Sequence, residues 1–210
     1  MALTLIGDVH GLTGRYLEIV KKHERTLQLG DLGFQYSFLS ELNSDFHKVL
    51  AGNHDNYSLV DQYPHFLGDY GVEEIPEFGK IFFLRGAFSI DYIHRLIGRD
   101  WWPEEELTYL EAKKAIALYE QEKPDFVVTH TCPGSINKHF LPQRGQNAIG
   151  FRTEFVLDTM FEIHQPKAWV FGHFHYNHFV QERGTIFRCL DELSTVTLQD
   201  TNDLQKLKEI

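Results

Sequence analysis

Five short apolar runs, each followed directly by a polar cluster, constrain the fold of this chain more than any other feature. The runs occupy residues 3–6, 26–29, 47–51, 125–129 and 167–171. Their length and their content of β-branched and aromatic residues predict buried strands. The clusters that follow them are, in order, Gly7-Asp8-Val9-His10, Gly30-Asp31, Gly52-Asn53-His54-Asp55, His130, and Gly172-His173-Phe174-His175.

Several segments between these runs have helical periodicity. Residues 12–24 and 153–164 repeat apolar residues at helical spacing, and residues 103–123 open with Pro103 and three glutamates, which is a helix-start signal. Strand and helix in alternation predict a largely parallel central sheet. Residues 177–181 and 185–190 flank Glu182-Arg183-Gly184 and predict a hairpin, so we expect a mixed sheet or a second sheet, with helices outside.

The chain length and composition are those of one globular domain. The chain has 210 residues, of which 42% are hydrophobic and 24% charged. We expect a single domain over residues 1–198 and a polar tail or short helix over residues 199–210. No segment approaches the roughly 20 apolar residues of a membrane helix, and no signal-peptide pattern opens the chain. Two cysteines, Cys132 and Cys189, do not make a disulfide framework. We therefore expect a cytoplasmic protein that does not associate with membranes.

The net charge limits the partners. A formal charge of −10 argues against stable binding to nucleic acid, which requires a basic surface. A small anionic substrate remains compatible with this charge, because a metal cluster outweighs the net charge at short range.

The polar clusters define one candidate site. In open α/β sheets, ligands bind beyond the carboxyl ends of the strands. Each cluster alone has an ordinary explanation, such as a turn for Gly30-Asp31 or a hydrogen-bonded core histidine for His130. These explanations would have to coincide at five strand ends, so we interpret the clusters as one set of metal ligands: Asp8, His10, Asp31, Asn53, His130, His173 and His175.

The size of this set indicates two metal ions. One ion would leave several of the polar groups buried without a partner, which is costly. Two divalent ions about 3.5–4 Å apart use all of them, with one carboxylate bridging. Oxygen and imidazole donors without a thiolate favour Mn, Fe or Zn over Mg.

The charge of such a site indicates the reaction. Two divalent ions outweigh Asp8, Asp31 and a bridging hydroxide, and the positive remainder suits a phosphate ester. Metals of this kind supply hydroxide near neutral pH. His54 is not needed as a ligand, so we predict that it protonates the leaving alkoxide. We expect Asp55 to fix the tautomer of His54 and to raise its pKa.

The ordered motifs resemble those of calcineurin-like metallophosphoesterases. The resemblance extends from Gly7-Asp8-Val9-His10-Gly11 to Gly172-His173-Phe174-His175, which is most of the chain. It implies a four-layer αββα sandwich, with two mixed β-sheets flanked by helices. It also implies that Asp31 bridges the metals and that His54 is the proton donor. The implied division of the remaining ligands is Asp8, His10 and His175 on one metal, and Asn53, His130 and His173 on the other.

One departure from the family pattern bears on the substrate. In the family's Ser/Thr protein phosphatases the second motif continues to an Asp-Arg pair that helps hold phosphate. Here Leu32-Gly33-Phe34-Gln35 follows Asp31. The chain thus resembles the small phosphodiesterase and phosphatase members more closely.

Two inserts, residues 85–102 and 133–152, are expected to shape the pocket. Both are rich in arginine, and Arg85, Arg99 and Arg144 are our candidates for binding a phosphate oxygen. Trp101 or Trp102 is a candidate for stacking on a base.

Three functions remain open at this point. The first is hydrolysis of a phosphate mono- or diester, with a nucleotide or another small molecule as substrate. The second is a protein phosphatase or nuclease with the same metal site. The third is a non-catalytic binding module, which would be expected to have lost some of these ligands, whereas all are present here.

Overall fold

The computed structural model describes residues 2–140 and 151–209. Within these residues the strands are β1 Leu3–Ile6, β2 Thr26–Gln28, β3 His47–Val49, β4 Tyr70–Ile75, β5 Gly79–Leu84, β6 Phe126–Thr129, β7 Ala168–Phe171, β8 His178–Glu182, β9 Thr185–Cys189 and β10 Thr195–Leu198. The α-helices are α1 Thr13–Val20, α2 Tyr109–Glu122, α3 Gly134–Asn137 and α4 Arg152–Ile163. Short 3-10 helices occur at Ser37–Glu41, Val60–Gln62, Tyr92–His94, Pro103–Glu105 and Lys206–Lys208.

The strands form two mixed sheets. The first has the order β10-β1-β2-β3, with β1, β2 and β3 parallel and β10 antiparallel to β1. The second has the order β4-β5-β6-β7-β9-β8, in which the inner strands are parallel and the two edge strands are antiparallel to their neighbours.

Alternating side chains place these sheets in a four-layer arrangement. In β7, Val170 packs into the core between the sheets, whereas Trp169 faces the opposite side. There Trp169 packs in the same core as Ala115 of α2 and Leu157 of α4. On the other sheet, Ile6 shares a separate core with residues of α1. The expected αββα sandwich with two mixed sheets is therefore confirmed.

The parallel strands that the sequence predicts are divided between the two sheets. All five strands of the apolar runs form, with three in the first sheet and two in the second. Apolar runs buried on both faces look alike in either sheet, so the sequence did not show this division. The sequence analysis also missed the β4–β5 hairpin and β10, whereas the β8–β9 hairpin is confirmed.

The predicted start of the helix at Pro103 is wrong. Residues Pro103–Glu105 make a 3-10 turn, and α2 begins at Tyr109 after Thr108. The Thr108 hydroxyl accepts a hydrogen bond from the Glu111 amide, and the Glu111 carboxylate accepts one from the Thr108 amide. This capping box satisfies the first helical amides better than the acidic run does. Two of the glutamates in that run are instead buried, where they accept hydrogen bonds from backbone amides.

The other helix boundaries are close to their predictions. α4 matches the predicted segment within one residue at each end, whereas α1 ends at Val20, short of residue 24. After β10 the chain forms the 3-10 helix Lys206–Lys208, whose Leu207 is buried between the sheets. None of the helices in the described ranges is long and apolar enough to cross a membrane.

Candidate metal centre

The carboxyl ends of β1, β2, β3, β6 and β7 bring their polar clusters together across the two sheets. Asp8 Oδ2, after β1, lies 3.2 Å from His175 Nε2, after β7. Asp31 Oδ1, after β2, lies 3.2 Å from His130 Nε2, after β6. Residues far apart in the sequence thus meet at one edge of the sandwich, as the strand-end argument predicts.

The side chains form two groups of possible metal ligands. Asp8, His10, Asp31 and His175 offer one ligand atom each, and these atoms lie within 4.8 Å of one another. Asp31, His130 and His173 form a second group by the same measure. Asn53 Oδ1 adjoins the second group, because it lies 3.2 Å from His130 Nε2. Asp31 is common to both groups, which is the position of a bridging ligand.

The chemistry of these groups fits divalent cations. His10 Nε2 lies 2.8 Å from His175 Nε2 and 3.7 Å from both Asp8 Oδ2 and Asp31 Oδ2, so several donor atoms converge on one small volume. Their donors are carboxylate, amide and imidazole groups, which suit Mn, Fe or Zn. Neither cysteine belongs to these two groups; both are buried, and burial raises the pKa of each thiol.

The His130 ring is held in place through its Nδ1 atom. Its Nδ1–H donates to the Leu29 carbonyl at 2.8 Å. This bond places a proton on Nδ1 and leaves Nε2 facing Asp31 and Asn53, where it could bind a metal ion. Such a partner on the far ring nitrogen is typical of metal-bound histidines.

The backbone of the site is held in an unusual conformation. His10, Asp31, His173 and His175 have φ values of 47°, 58°, 68° and 50°. Residues other than glycine seldom occupy this left-handed region, and where they do they cluster at functional sites. The strain at four candidate ligands supports a functional role for this edge.

Glycines before the ligands are required by close packing. A Cβ atom at Gly52 would collide with Asp31 Oδ1, and one at Gly172 would collide with Asp8 Oδ1. Each glycine therefore allows a carboxylate to approach the backbone of another strand end. This explains why the Gly-Asn-His-Asp and Gly-His-Phe-His clusters begin with glycine.

Amide and side-chain hydrogen bonds hold the ligands in place. Both Asp8 carboxylate oxygens accept from the His173 amide at 3.1 Å, and Asp31 Oδ1 accepts from the His54 amide at 2.7 Å. Asn53 Nδ2 donates to Ser89 Oγ at 3.2 Å, and Ser89 Oγ donates to Glu105 Oε2 at 2.6 Å. Since Asn53 Nδ2 is engaged in this way, its Oδ1 is directed toward His130.

The carboxylates and imidazoles of the site shift one another's pKa values. Burial alone raises the pKa of Asp8, but contacts with His10 and His175 outweigh it and lower that pKa. Burial alone lowers the pKa of His130, but the carboxylates of Asp31 and Asp8 raise it to about 9. The carboxylates thus favour a proton on the neighbouring imidazole, and a bound metal ion would compete with that proton.

A cavity of about 420 Å³ opens over these groups. Its lining has two parts. The strand-end clusters contribute Asp31, Asn53, His54, His173, Phe174 and His175, and the insert after β5 contributes Phe88, Ile90, Asp91 and Arg95. His54 is the imidazole in this lining that belongs to neither ligand group. Its Nε2 lies 2.9 Å from Arg95 Nη2.

Comparison with known families agrees with this geometry. Residues 1–177 match the family described as calcineurin-like phosphoesterase. The chain belongs to this family. A search of curated proteins gave no match.

Several solved structures resemble this chain. Phosphopantetheinyl hydrolase (PptH) from Mycobacterium tuberculosis is 12% identical, with 99% of this chain and 93% of that chain covered and a TM-score of 0.48. Protein TM1076 from Thermotoga maritima is 14% identical, with coverages of 94% and 90% and a TM-score of 0.43. A predicted phosphoesterase from Streptococcus pneumoniae is 15% identical, with coverages of 94% and 84% and a TM-score of 0.41. The family assignment rests on the match over residues 1–177.

The predicted contact between Asp55 and His54 is not present in the structure. The buried Asp55 carboxylate accepts hydrogen bonds from the amides of Leu32 and Gly52 and from the Tyr36 hydroxyl. The His54 ring contacts Arg95 instead, and burial lowers its pKa, the opposite of the expected direction. Asp55 therefore connects the second and third motifs and does not orient His54.

The candidate substrate arginines also need correction. Arg85 is buried, where it pairs with Asp69, donates to the Glu104 carbonyl and packs over the Tyr57 ring. Arg99 is exposed, pairs with Asp100 and does not line the cavity. Arg144 lies outside the described residues. The arginine that reaches the cavity is Arg95, which the sequence analysis did not select from the same insert.

The tryptophan pair does not line the cavity within the described residues. Trp102 is buried, and its Nε1 donates to Ser58 Oγ at 2.9 Å. Trp101 packs against Tyr92 at a ring distance of 5.5 Å. Aromatic side chains do contribute to the cavity wall, but they are Phe88 and Phe174. Ser89 and Glu105 were missed as well, because nothing near them in the sequence resembles a ligand motif.

Proposed function

We propose that this protein is a binuclear metal-dependent phosphoesterase that hydrolyses a phosphate mono- or diester of a small molecule, with nucleotides among the candidate substrates. The observation that carries this proposal is the pair of ligand groups that share Asp31 beneath a 420 Å³ cavity. Two cations side by side are the arrangement that stabilises the attacking and leaving oxygens of a phosphate displacement.

The roles of the ligands follow from the two groups. Asp8, His10 and His175 would hold one ion, Asn53, His130 and His173 the other, and Asp31 both. Manganese, iron or zinc, when bound, would lower the pKa of water to supply a nucleophile and would neutralise charge on the phosphate. The protein contributes fixed positions for these ligands, through the left-handed backbone and the glycines described above.

His54 would protonate the leaving group. Its ring lines the cavity but belongs to neither ligand group, so it is available to a substrate. Burial lowers the pKa of His54 in the ligand-free protein. A phosphate placed beside the ring adds negative charge and raises that pKa, so His54 gains its proton as the substrate binds.

The test is hydrolysis of two simple esters by chelated protein resupplied with Mn, Zn or Mg. We expect metal-restored turnover of p-nitrophenyl phosphate or bis-p-nitrophenyl phosphate. Asp45→Asn, which changes an exposed carboxylate outside the site, serves as the control and should retain full activity. Protein that binds two ions by elemental analysis, yet turns over neither ester with any of the metals, would contradict the proposal.

A further inference from the structure

Arg95 lies inside the cavity, opposite the ligand groups. Its side chain is only 11% exposed, and its Nη2 lies 2.8 Å from Asp91 Oδ1 and 2.9 Å from His54 Nε2. Nη1 donates to the Asp100 carbonyl at 3.4 Å. Because carboxylate, carbonyl and imidazole all hold it, the guanidinium is fixed in position before any substrate arrives.

Arg95 brings a permanent positive charge to the cavity. Among the described residues that line the cavity, no other is a lysine or an arginine. The wall beside it is apolar, formed by Phe88, Ile90 and Phe174. Outside the candidate metal site, this guanidinium is therefore the group in the lining that would stabilise negative charge on a bound ligand.

A phosphate oxygen can replace His54 as the hydrogen-bond acceptor of Arg95. An imidazole nitrogen is a neutral acceptor for the guanidinium, whereas a phosphate oxygen is an anionic acceptor and makes a stronger, charge-assisted bond. A phosphate that replaces His54 as the acceptor for Nη2 also frees His54 Nε2, while Asp91 continues to hold the guanidinium. The geometry therefore favours a phosphate oxygen as the natural partner of this donor.

We propose that Arg95 binds a non-bridging oxygen of the substrate phosphate and thereby selects phosphate monoesters over diesters. This inference rests on the proposed function and specifies its substrate class. A monoester has three non-bridging oxygens and, near neutral pH, close to two negative charges. In a diester one of those oxygens carries a second organic group and the charge is lower. An arginine fixed at this position therefore binds a monoester, with its additional oxygen and charge, more tightly than a diester.

The first test compares both esters in arginine variants of the metal-loaded enzyme. Arg95→Gln should lower kcat/KM for p-nitrophenyl phosphate by about 10- to 100-fold, the range for losing a hydrogen bond to a charged group. For bis-p-nitrophenyl phosphate the loss should stay within about threefold, as expected where that bond is absent. Arg95→Lys keeps the positive charge but lacks the planar, two-pronged donor geometry of a guanidinium. It should therefore retain more of the monoester activity than Arg95→Gln.

Arg99→Gln is the matched control, because Arg99 lies in the same insert but is exposed outside the cavity. It should leave the kinetics of both esters unchanged. An equal loss on both esters in Arg95→Gln, or no change in their ratio, would overturn the selection by Arg95.

The second test does not depend on turnover. Calorimetric titration of the metal-loaded protein with inorganic phosphate should show binding weakened about tenfold or more in Arg95→Gln, with metal content unchanged by elemental analysis. Equal phosphate affinity in the wild type and this variant would overturn the inference. If the wild type hydrolyses neither ester but binds phosphate through Arg95, the catalytic proposal fails while the phosphate site stands.

Discussion

Replacement of Ser89 by alanine tests how the second ligand group is held. Ser89 Oγ accepts a hydrogen bond from Asn53 Nδ2 and donates one to Glu105 Oε2, and all three residues are buried. The methyl group of alanine can do neither. The Ser89 amide would still donate to Glu105 Oε1, so the turn itself keeps one anchor.

The expected magnitude follows from these two lost bonds. Asn53 Nδ2 and one Glu105 oxygen would be left buried without a partner, at a cost of about 1–3 kcal/mol each. Burial raises the pKa of Glu105 and the Ser89 hydroxyl hydrogen bond opposes that rise, so the loss of this bond raises the pKa further. Asn53 would then be free to rotate its Oδ1 away from His130. Loss of such a supporting contact typically weakens metal binding by about 10- to 100-fold.

The assay is calorimetric metal titration of chelated Ser89→Ala. We expect one of the two sites to weaken by that factor, while the site formed by Asp8, His10 and His175 changes little. Ser58→Ala is the matched control, because Ser58 Oγ accepts from Trp102 of the same insert but contacts no candidate ligand. Wild-type affinity at both sites in Ser89→Ala would refute the reasoning. Equal weakening in Ser58→Ala would show that the insert as a whole, rather than the orientation of Asn53, controls the metal.

Three further predictions concern the ligands and the proton donor. His54→Gln should lower turnover by roughly 100-fold or more with both metals still bound, because general acid catalysis is lost and no ligand is removed; full activity would contradict the role of His54. Asp31→Asn should reduce the occupancy of both metals, since the shared ligand loses its charge, and unchanged metal content on elemental analysis would show that Asp31 is not the bridge. Metal affinity should rise from pH 7 to about 9, by at most about tenfold per pH unit, because the metal must displace a proton from His130, whose pKa is raised to about 9 in the metal-free protein. Calorimetry in matched buffers measures this dependence, and a flat profile would exclude proton competition at His130.

The sequence predicts the strands and the polar side chains at their carboxyl ends, because both are local features. Short apolar runs ending in Gly-Asp or Gly-His clusters can be recognised without knowing what they pack against. The structure brings these clusters together across the two sheets as the strand-end rule requires. The distribution of strands between the two sheets is not local, so the apolar runs alone did not predict it.

The roles of the charged neighbours were harder to predict, because they depend on which group each side chain reaches. Asp55 follows His54 directly in the sequence, yet its carboxylate points to the amides of Leu32 and Gly52. Arg85 precedes the cavity wall in the sequence, but its side chain is committed to Asp69. Adjacent residues on an irregular turn can face in different directions, so sequence proximity to a motif carried no information about contact.

The second motif lacks the arginine of the protein phosphatases, and the insert supplies a cation at the cavity instead. Leu32-Gly33-Phe34-Gln35 follows Asp31, and the Leu32 amide donates to Asp55. Within the described residues, the cation that lines the cavity is Arg95. Arg95 is 41 residues away from His54 in the sequence but touches its ring in space. Where the insert keeps Ser89, which holds Asn53, its cation and apolar wall can change in sequence without disturbing the candidate metal ligands. Substrate preference in this protein would then be set by residues 85–102, and the chemistry by the strand ends.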